Sequence, residues 1–376
     1  MALSKVNPNF VNQLGRRNLI INGAMQVAQR GTSSTLTTGY GPPDRFAMSN
    51  GSIGNLTTTQ ESTNGPSGDF KYSMKVASTN TASIASGSDG WIRYVIETKD
   101  IENLVLTDSS KNITVSFYVK CSNTGQSSIG VTSGNFTSGR YVHPFTITTA
   151  DTWQKVSFTM PGNSLLSNVN GDFGLRLYWD IGAGTTYQTS STNSWGSGGT
   201  YASSGNLQIT GVDGRYLQIT GVQLEVGDTA TPFEHRLYSE ELALCQRYFF
   251  NPNHNIGTSY NLYACNYLVS TGNNGWITWI VPFHVPMRAS STFSHSLTNA
   301  KTVGSAAPGN GVDGWSFYVQ NQGYVGIAGN GNMSTLSGGG KYQGVVGTYY
   351  VSPTGTTCSH IMIGNGSTFQ FNAEID

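Results

Sequence analysis

Charged side chains are scarce in this sequence of 376 residues, at 11% of the chain against roughly 25% in an average soluble domain. Lysine and arginine together number 20, aspartate and glutamate also number 20, and the formal net charge is zero. A protein that binds nucleic acid by neutralising phosphates carries a basic excess, so we expect no nucleic-acid partner. Helical bundles and coiled coils are rich in Ala, Glu, Lys and Leu, and the composition argues against them too.

Long apolar runs are also absent. No stretch of about 18 apolar residues occurs, so the sequence predicts no membrane-spanning segment. Met1–Pro8 lacks the apolar core of a secretory signal, so we expect no export signal there. The cysteines are scattered without the short spacings of a metal site, and they predict reduced thiols in a protein made in a cytosol.

The usual catalytic and cofactor motifs are missing. The sequence has no phosphate-binding G-x-x-x-x-G-K-[ST], no H-E-x-x-H and no G-x-S-x-G nucleophile elbow. Gly309–Gly314 matches G-x-G-x-x-G, but a strand pattern follows, where a dinucleotide site needs the start of a helix. The six histidines are dispersed, with none at ligand spacing from another. The sequence thus predicts no catalytic residue, no metal site and no cofactor.

Glycine, hydroxyl and amide residues take the place of the missing charges. Glycine numbers 47 and aromatic residues make up 11% of the chain. Apolar and polar residues alternate over 113–120, 155–160 and 175–180, which is the period of strands with one buried face. Clusters of Gly, Asn and Ser separate these runs. Many short strands joined by such turns predict an all-β sandwich or barrel.

Residues 182–206 form a segment rich in Gly, Ser, Thr and Tyr, and it predicts a long surface loop. The loop carries Tyr187, Trp195 and Tyr201. Aromatic rings stack on the apolar faces of sugars while amides and hydroxyls meet the sugar hydroxyls, so these three residues are candidate glycan ligands. The alternative, that Trp195 folds back and pins its own loop, is equally compatible with the sequence.

A short repeat follows this loop. Leu207–Val212 and Leu217–Val222 have the same sequence, LQITGV, ten residues apart. With Asp213-Gly214 as the turn, both copies can be strands of one hairpin. A local duplication of one strand explains the repeat equally well.

One segment, Leu237–Phe250, has a helical pattern. Ser239 is a possible N-cap, and the acidic first turn suits the helix dipole. Its apolar stripe either covers the base of a domain or packs against symmetry mates in an oligomer; for the oligomer interface the candidate residues are Leu242, Cys245 and Phe249. We place a linking helix at 236–253, between a β-sandwich at 17–235 and a smaller β-sandwich at 254–376.

Three blocks of sequence carry a resemblance to known proteins: 17–31 (RNLIINGAMQVAQRG), 219–236, and 240–248 taken together with 286–290 and 371–374. In this order they resemble a widespread group of bacteriophage and prophage virion proteins, often tail fibres. The first domain resembles the jelly-roll β-sandwich of carbohydrate-binding modules. The resemblance implies a jelly roll at 17–235, a role in the virion and a homotrimer, and it supplies no mapped ligand-binding residues.

Some carbohydrate-binding jelly rolls hold a structural Ca²⁺ through acids on their terminal strands. Here Glu225 is available, whereas Gln26 stands where a second acid is wanted. A structural Ca²⁺ is therefore possible but not favoured.

Taken together, these features predict a non-enzymatic phage virion protein, assembled in the host cytoplasm, that attaches to host surface glycans as a tail fibre or receptor-binding component. The alternative is a capsid decoration protein that stabilises the head. We expect residues 1–16, with Phe10 and Leu14, to form an arm that docks to another virion protein. A frayed terminus would have the same sequence features and is the alternative. A polysaccharide depolymerase is disfavoured; its candidate acids, near tryptophans in sequence, are Asp151, Asp172 and Asp180.

Overall fold

The computed structural model describes residues 17–62, 65–167 and 171–251. In the C-terminal part it describes residues 260–262, 265–269, 274–289, 292–296, 315–319, 323–326, 343–351, 358–363 and 368–374. The chain divides into two compact units, residues 1–242 with 375–376 and residues 243–374. Phe10 and Leu14 lie outside the described residues.

Short strands separated by turns make up the first unit. They are Ser33–Leu36 (β1), Thr38–Tyr40 (β2), Phe46–Asn50 (β3), Leu56–Glu61 (β4), Ser73–Ser78 (β5), Asp89–Glu97 (β6), Asn112–Cys121 (β7), Gly125–Ser133 (β8), Arg140–Ile147 (β9), Gln154–Pro161 (β10), Phe173–Ala183 (β11), Gln188–Thr189 (β12), Trp195–Gly196 (β13), Ala202–Ser203 (β14) and Tyr216–Val226 (β15). The helices are Thr98–Ile101 (α1) and Tyr238–Gln246 (α2), and α2 runs across the division between the units.

These strands form two antiparallel sheets. A six-stranded sheet has the order β1-β4-β5-β15-β7-β10, and a seven-stranded sheet has the order β13-β9-β8-β11-β6-β3-β2. The late strands β15 and β11 are each inserted between earlier ones, so the connections cross as in a jelly roll rather than running up and down. The described chain contains little helix, and the predicted all-β class is confirmed.

Alternation along the strands explains the core between the sheets. Val115, Phe117 and Val119 of β7 point inward and are fully buried, as the sequence pattern predicts. The ring of Trp179 from β11 meets that of Phe117 at 5.7 Å in an edge-on arrangement, so the two sheets interlock through large aromatic side chains.

Residues 17–30 form no strand, but they bond to the end of β15. Leu19 N–H donates to the Leu224 carbonyl at 3.0 Å, and Val222 N–H donates to the Gly23 carbonyl at 3.0 Å. Gly221, at φ 60°, marks a break in the register between β15 and β7. This irregularity is a β-bulge at a glycine, the residue that adopts a positive φ most readily.

A terminal clamp, formed by Asn18, Glu234, Arg236 and Glu241, closes this end of the unit. Asn18 N–H donates to Glu234 Oε2 at 2.7 Å, and Arg236 donates to the carbonyl oxygens of Asn18 and Ile20. Arg236 also lies 3.3 Å from Glu241 Oε1, which accepts from the Asn22 N–H at 2.6 Å. The clamp therefore joins two segments that are more than 200 residues apart in sequence.

The predicted hairpin at 207–222 is wrong. Only the second LQITGV copy is a strand, within β15, whereas the first is irregular. Leu207 N–H bonds to the Gln126 carbonyl, and Ile209 N–H bonds to the Ile181 carbonyl. The backbone N–H groups of the first copy therefore donate to two strands that are distant in sequence, β8 and β11, and not to the second copy.

The helix is shorter than predicted, because it ends at Gln246 and Phe249 lies in a strand. Cys245 and Phe249 are buried within the chain, Leu242 is half-buried, and Leu237 is 76% exposed. Cys245 and Phe249 are thus not free to meet a second copy, which corrects their prediction as oligomer contacts.

Where the structure describes it, the second unit consists of antiparallel strands in three sheets. They are Phe249–Phe250 (β16), Tyr260–Leu262 (β17), Cys265–Val269 (β18), Asn274–Pro282 (β19), Thr292–Ser296 (β20), Trp315–Val319 (β21), Gly323–Gly326 (β22), Gln343–Val351 (β23), Cys358–Ile363 (β24) and Thr368–Asn372 (β25). The sheet orders are β16-β25-β20, β17-β24-β21-β22 and β18-β19-β23. That this unit is a second sandwich stays a prediction.

Candidate functional site

The outer face of the seven-stranded sheet carries a second apolar cluster, separate from the core between the sheets. On β6, Ile92 points into the core and Trp91 points outward. On β11, Leu177 and Trp179 point inward and Tyr178 points outward. We call the outward cluster the aromatic face; its aromatic members are Trp91, Tyr178, Tyr201, Tyr40, Phe136 and Tyr187.

Ring contacts connect the aromatic face across the strands. Tyr201 stacks on Tyr178 with ring centroids 5.0 Å apart, and Trp91 meets Tyr178 edge-on at 5.8 Å. Phe136 lies 5.5 Å from Tyr178, and Tyr187 lies 5.8 Å from Tyr201. These separations lie within the range of favourable aromatic pairs, so the rings hold one another in fixed orientations.

Residues 184–206, here called the covering loop, fold back onto the sheet rather than projecting from it, and their Tyr187, Tyr201 and Ala202 lie on this face. The Tyr201 hydroxyl donates to the Gly90 carbonyl at 3.2 Å, and Tyr201 N–H donates to the Tyr187 carbonyl at 3.0 Å. Gly130 of β8 lies beneath, where a Cβ would be 2.8 Å from the Tyr201 Cα. The absence of a side chain at Gly130 thus lets the loop backbone approach the sheet closely.

The aromatic face has a buried centre and a half-exposed rim. Trp91 is 9% exposed and Tyr201 is 1% exposed. Tyr40, Phe136 and Tyr187 are only partly buried. The rim can therefore offer ring surface to a ligand, while the centre fixes the position of the rim.

Arginine side chains add hydrogen-bond donors around the rings. The Arg93 guanidinium lies 4.7 Å from the Trp91 ring centroid, between Ala47 and Tyr178 in the strand register. Arg176 lies 4.2 Å from the Phe173 ring and donates to the Gly134 carbonyl. Such placements keep guanidinium groups flat against aromatic rings.

A buried polar network holds the far end of the loop. Asp180 Oδ1 accepts from the backbone N–H groups of Gly182 and Ala183, and Asp180 Oδ2 accepts from the Asn206 amide at 2.6 Å. Asn206 also donates to Ser128 Oγ at 2.6 Å. Burial raises the pKa of Asp180, and these hydrogen bonds, which lower it, offset the rise only in part.

The predicted glycan residues take three different positions. Tyr187 lies on the rim of the aromatic face. Tyr201 is in its buried centre, which corrects the expectation that its ring is offered to a sugar. Trp195 belongs to β13 and packs at the edge of the core between the sheets. Its ring lies 5.6 Å from that of Tyr141, and its Nε1–H donates to the Pro161 carbonyl at 2.7 Å, as the fold-back alternative expects.

Four further members of the aromatic face were not predicted from the sequence: Trp91, Tyr178, Tyr40 and Phe136. Trp91 could have been found from its place in the alternation of β6, because it lies on the opposite side of the strand from the core residues Ile92 and Tyr94. An aromatic residue on the solvent side of a strand indicates a covering element or a ligand. Phe136 lies in a turn, and nothing in its neighbourhood in sequence identifies its partners.

The candidate acids have different surroundings. Asp180 is buried in the polar network of the seven-stranded sheet, whereas Asp151 bonds to the Tyr216 hydroxyl of the six-stranded sheet. The exposed Asp172 precedes β11. General acid–base hydrolysis needs two carboxylates facing one cleft, and Asp151 and Asp180 belong to different sheets.

The acid considered for Ca²⁺ is already occupied by hydrogen-bond donors. Glu225 accepts from Gln223, from Thr231 N–H and from the Thr231 hydroxyl, and it lies 3.6 Å from the Arg17 guanidinium. A carboxylate that faces donors and a cationic side chain does not fit a hard cation. In the described part of the chain, no group of three or more His, Cys, Asp or Glu side chains is arranged to hold a metal.

No helix among the described residues is long and apolar enough to cross a membrane.

No family model and no curated protein matches the sequence. Several solved structures match part of the chain at low identity and with TM-scores below 0.5. A domain of the bacteriophage CBA120 tailspike protein 4 matches with a TM-score of 0.29 and 12% identity, over 56% of this chain and 22% of that one. The MgGH51 α-L-arabinofuranosidase matches with a TM-score of 0.31 and 10% identity, over 59% of this chain and 29% of that one. The CBM22-2 xylan-binding domain of Paenibacillus barcinonensis Xyn10C matches with a TM-score of 0.26 and 15% identity, over 47% of this chain and 94% of that one.

Proposed function

We propose that this protein is a non-enzymatic attachment protein that binds glycans through the aromatic face. The observation that carries the proposal is the half-exposed rim of Tyr40, Phe136 and Tyr187 around a fixed aromatic centre. Sugar rings present apolar C–H faces that bury well against flat aromatic surfaces. A rim that is already held in place loses little conformational entropy when it binds.

Hydrogen bonds would complete the recognition. Arg93 and Arg176 bring guanidinium donors to the same face, and residues 184–206 supply hydroxyl and backbone groups at its border. Donors and acceptors next to stacked rings suit sugar hydroxyls. Each site would bind weakly, and repeated copies in one particle would give useful strength through multivalency.

The place of action in the proposal is the virion. It rests on the sequence resemblance to phage tail fibres, which also motivates the homotrimer and the contact of residues 1–16 with another virion protein. In this proposal the protein assembles in the host cytoplasm. Locating it on intact particles by electron cryomicroscopy tests this part: threefold density on the tail supports it, and density spread over the capsid lattice overturns it.

The binding test uses the full chain on an array of bacterial surface glycans. We expect saccharide binding that falls about tenfold or more in Tyr187→Ala and in Phe136→Ala, since an aromatic contact removed from a binding site costs on the order of 1–3 kcal/mol. Tyr238→Ala is the matched control, because Tyr238 is 42% exposed and lies on α2, outside the aromatic face. Equal melting temperatures exclude unfolding as the cause.

Two results would contradict the glycan proposal. The first is binding that is unchanged in both rim variants or reduced equally in Tyr238→Ala. The second is the absence of any bound saccharide on the array. Release of reducing sugar from a bound glycan would contradict the non-enzymatic part of the proposal.

A further inference from the structure

The outer face of the six-stranded sheet has a different chemistry, with lysines in place of arginines and a row of side chains across four strands. The strand register aligns Thr59 of β4, Lys75 of β5, Gln218 of β15 and Lys120 of β7. Neighbouring strands are about 4.8 Å apart, so the backbones at Lys75 and Lys120 are separated by about 10 Å. Gln218 lies between the two lysines and is buried.

Each lysine on this face is close to an aromatic ring. The Nζ atom of Lys75 lies 4.6 Å from the Tyr216 ring centroid, and that of Lys120 lies 5.1 Å from the Trp153 centroid. The three rings on this face, Tyr216, Trp153 and Tyr118, are all half-buried. We call the set the lysine face: Lys75, Lys120, Lys155, Tyr216, Trp153 and Tyr118, with Lys155 lying 6.0 Å from Tyr118.

Positive charge on the lysine face is only partly balanced. Lys75 lies 3.8 Å from Glu61, and Asp151 accepts the Tyr216 hydroxyl. Among the described residues, no carboxylate oxygen comes within 4.0 Å of the Lys120 ammonium. Three of the nine lysines in a charge-poor sequence thus meet here with two carboxylates.

The surroundings of Lys120 disfavour its charged form. Burial lowers the pKa of Lys120, and the neighbouring charge of Lys75 lowers it further, against the attraction of Asp151 and Glu61. A bound anion between the two ammonium groups would offset both effects. The half-buried rings beside them would at the same time cover an apolar surface of the ligand.

We propose that the lysine face is a second binding site, for an acidic saccharide whose carboxylate lies between Lys75 and Lys120 and whose ring packs on Tyr216 or Trp153. Lysines act as point charges that tolerate a carboxylate in several orientations. The adjacent rings favour a sugar over a ring-free polyanion. The site lies on the opposite sheet from the aromatic face and takes a charged ligand, so it goes beyond the glycan binding proposed above.

The test measures binding of hyaluronan oligosaccharides and oligogalacturonate to the full chain by calorimetry at low salt. We expect Lys120→Gln and Lys75→Gln each to lower the affinity about fivefold to tenfold, and Lys120→Arg to retain most of it. Lys99→Gln is the matched control, since it removes the same charge from an exposed position on α1. Trp153→Ala should lower the affinity without changing the net charge.

Poly-glutamate, a polyanion without sugar rings, separates a saccharide site from a general attraction to negative charge. Binding of poly-glutamate as tight as that of the acidic sugars would overturn the proposal, and it would point to an acidic peptide instead. An equal loss in Lys99→Gln, or no binding of either acidic sugar, would overturn it as well. Tyr187→Ala should leave acidic-sugar binding unchanged, so failure of this proposal is distinguishable from failure of the aromatic face.

Discussion

Single residues in this sandwich show how one side chain can hold a loop on a sheet. His143 of β9 stacks on Phe158 with ring centroids 4.3 Å apart, and its Nδ1 lies 2.7 Å from the Asn193 side-chain oxygen. Asn193 belongs to the covering loop, and its backbone N–H donates to the Val142 carbonyl. With Nδ1 protonated and the ring neutral, His143 donates to Asn193 and keeps its stacking contact without a buried charge.

At the residue scale we predict that acid weakens the fold through His143. Burial lowers the pKa of His143 below its ordinary value near 6.5, and the hydrogen bond to Asn193 opposes the shift only in part. Below pH 6.5 the unfolded chain therefore binds a proton before the folded chain does. The stability attributable to His143 is complete above pH 6.5 and falls as the pH drops from there towards the lowered pKa.

The measurement compares urea unfolding of the wild type and His143→Gln from pH 7.5 to 5.0. The other histidines titrate in both proteins and cancel in the difference. We expect the advantage of the wild type to shrink on acidification. A difference that is constant over this range, or that grows in acid, would rule out the assignment.

At the scale of elements, the covering loop decides how the seven-stranded sheet is buried. Strand β3, which lies next to the edge strand β2, is buried along its whole length, because one side meets the core and the other belongs to the aromatic face. Sheets covered on both faces lose the simple alternation of apolar and polar residues. The loop thus acts as a third layer of the sandwich.

We predict that Gly130→Ala lifts this layer. The added Cβ would lie 2.8 Å from the Tyr201 Cα and closer still to its carbonyl oxygen, and both are backbone atoms that cannot rotate away. The expected loss of stability is about 1–3 kcal/mol, together with faster chymotrypsin cleavage within residues 184–206. Gly87→Ala is the control, since an added Cβ there has no atom within 4 Å. Equal cleavage rates in the two variants would count against the loop contact.

The strands were more predictable than the site. Alternation is a local property, and it indicated β7, β10 and β11 correctly. The burial of Tyr201 depends on Gly130, which is about 70 residues away in sequence. Trp153 is half-buried beside Lys120, which is distant in sequence. Local pattern does not record which loop covers which face, so the candidate site was found only in part.

On the scale of the whole first unit, the terminal clamp ties the opening segment to the residues that follow β15. Arg236 is almost fully buried between Glu234 and Glu241, and it donates to two backbone carbonyls of the opening segment. Glu241 is buried as well, so a charged residue shares the buried side of α2 with the apolar Cys245. An ion pair at this depth is costly to break from one side.

We predict that Arg236→Gln destabilises the first unit by about 3–5 kcal/mol, because it leaves the Glu241 carboxylate buried without its cation. Urea unfolding followed by tryptophan fluorescence measures the change. Lys99→Gln, at an exposed position, should change stability by less than about 0.5 kcal/mol. A loss in Arg236→Gln no larger than in this control would show that the clamp contributes little.

The same clamp determines where mechanical force travels through the first unit. Asn18 and Glu234 are in direct contact although 216 residues separate them. A force that pulls residues 17 and 242 apart would therefore act on the contacts of the clamp, and the strands between them in sequence would bear little of it. As long as the contacts of Arg236 and Glu234 remain formed, stretching the chain would therefore not change the geometry of either outer face of the sandwich.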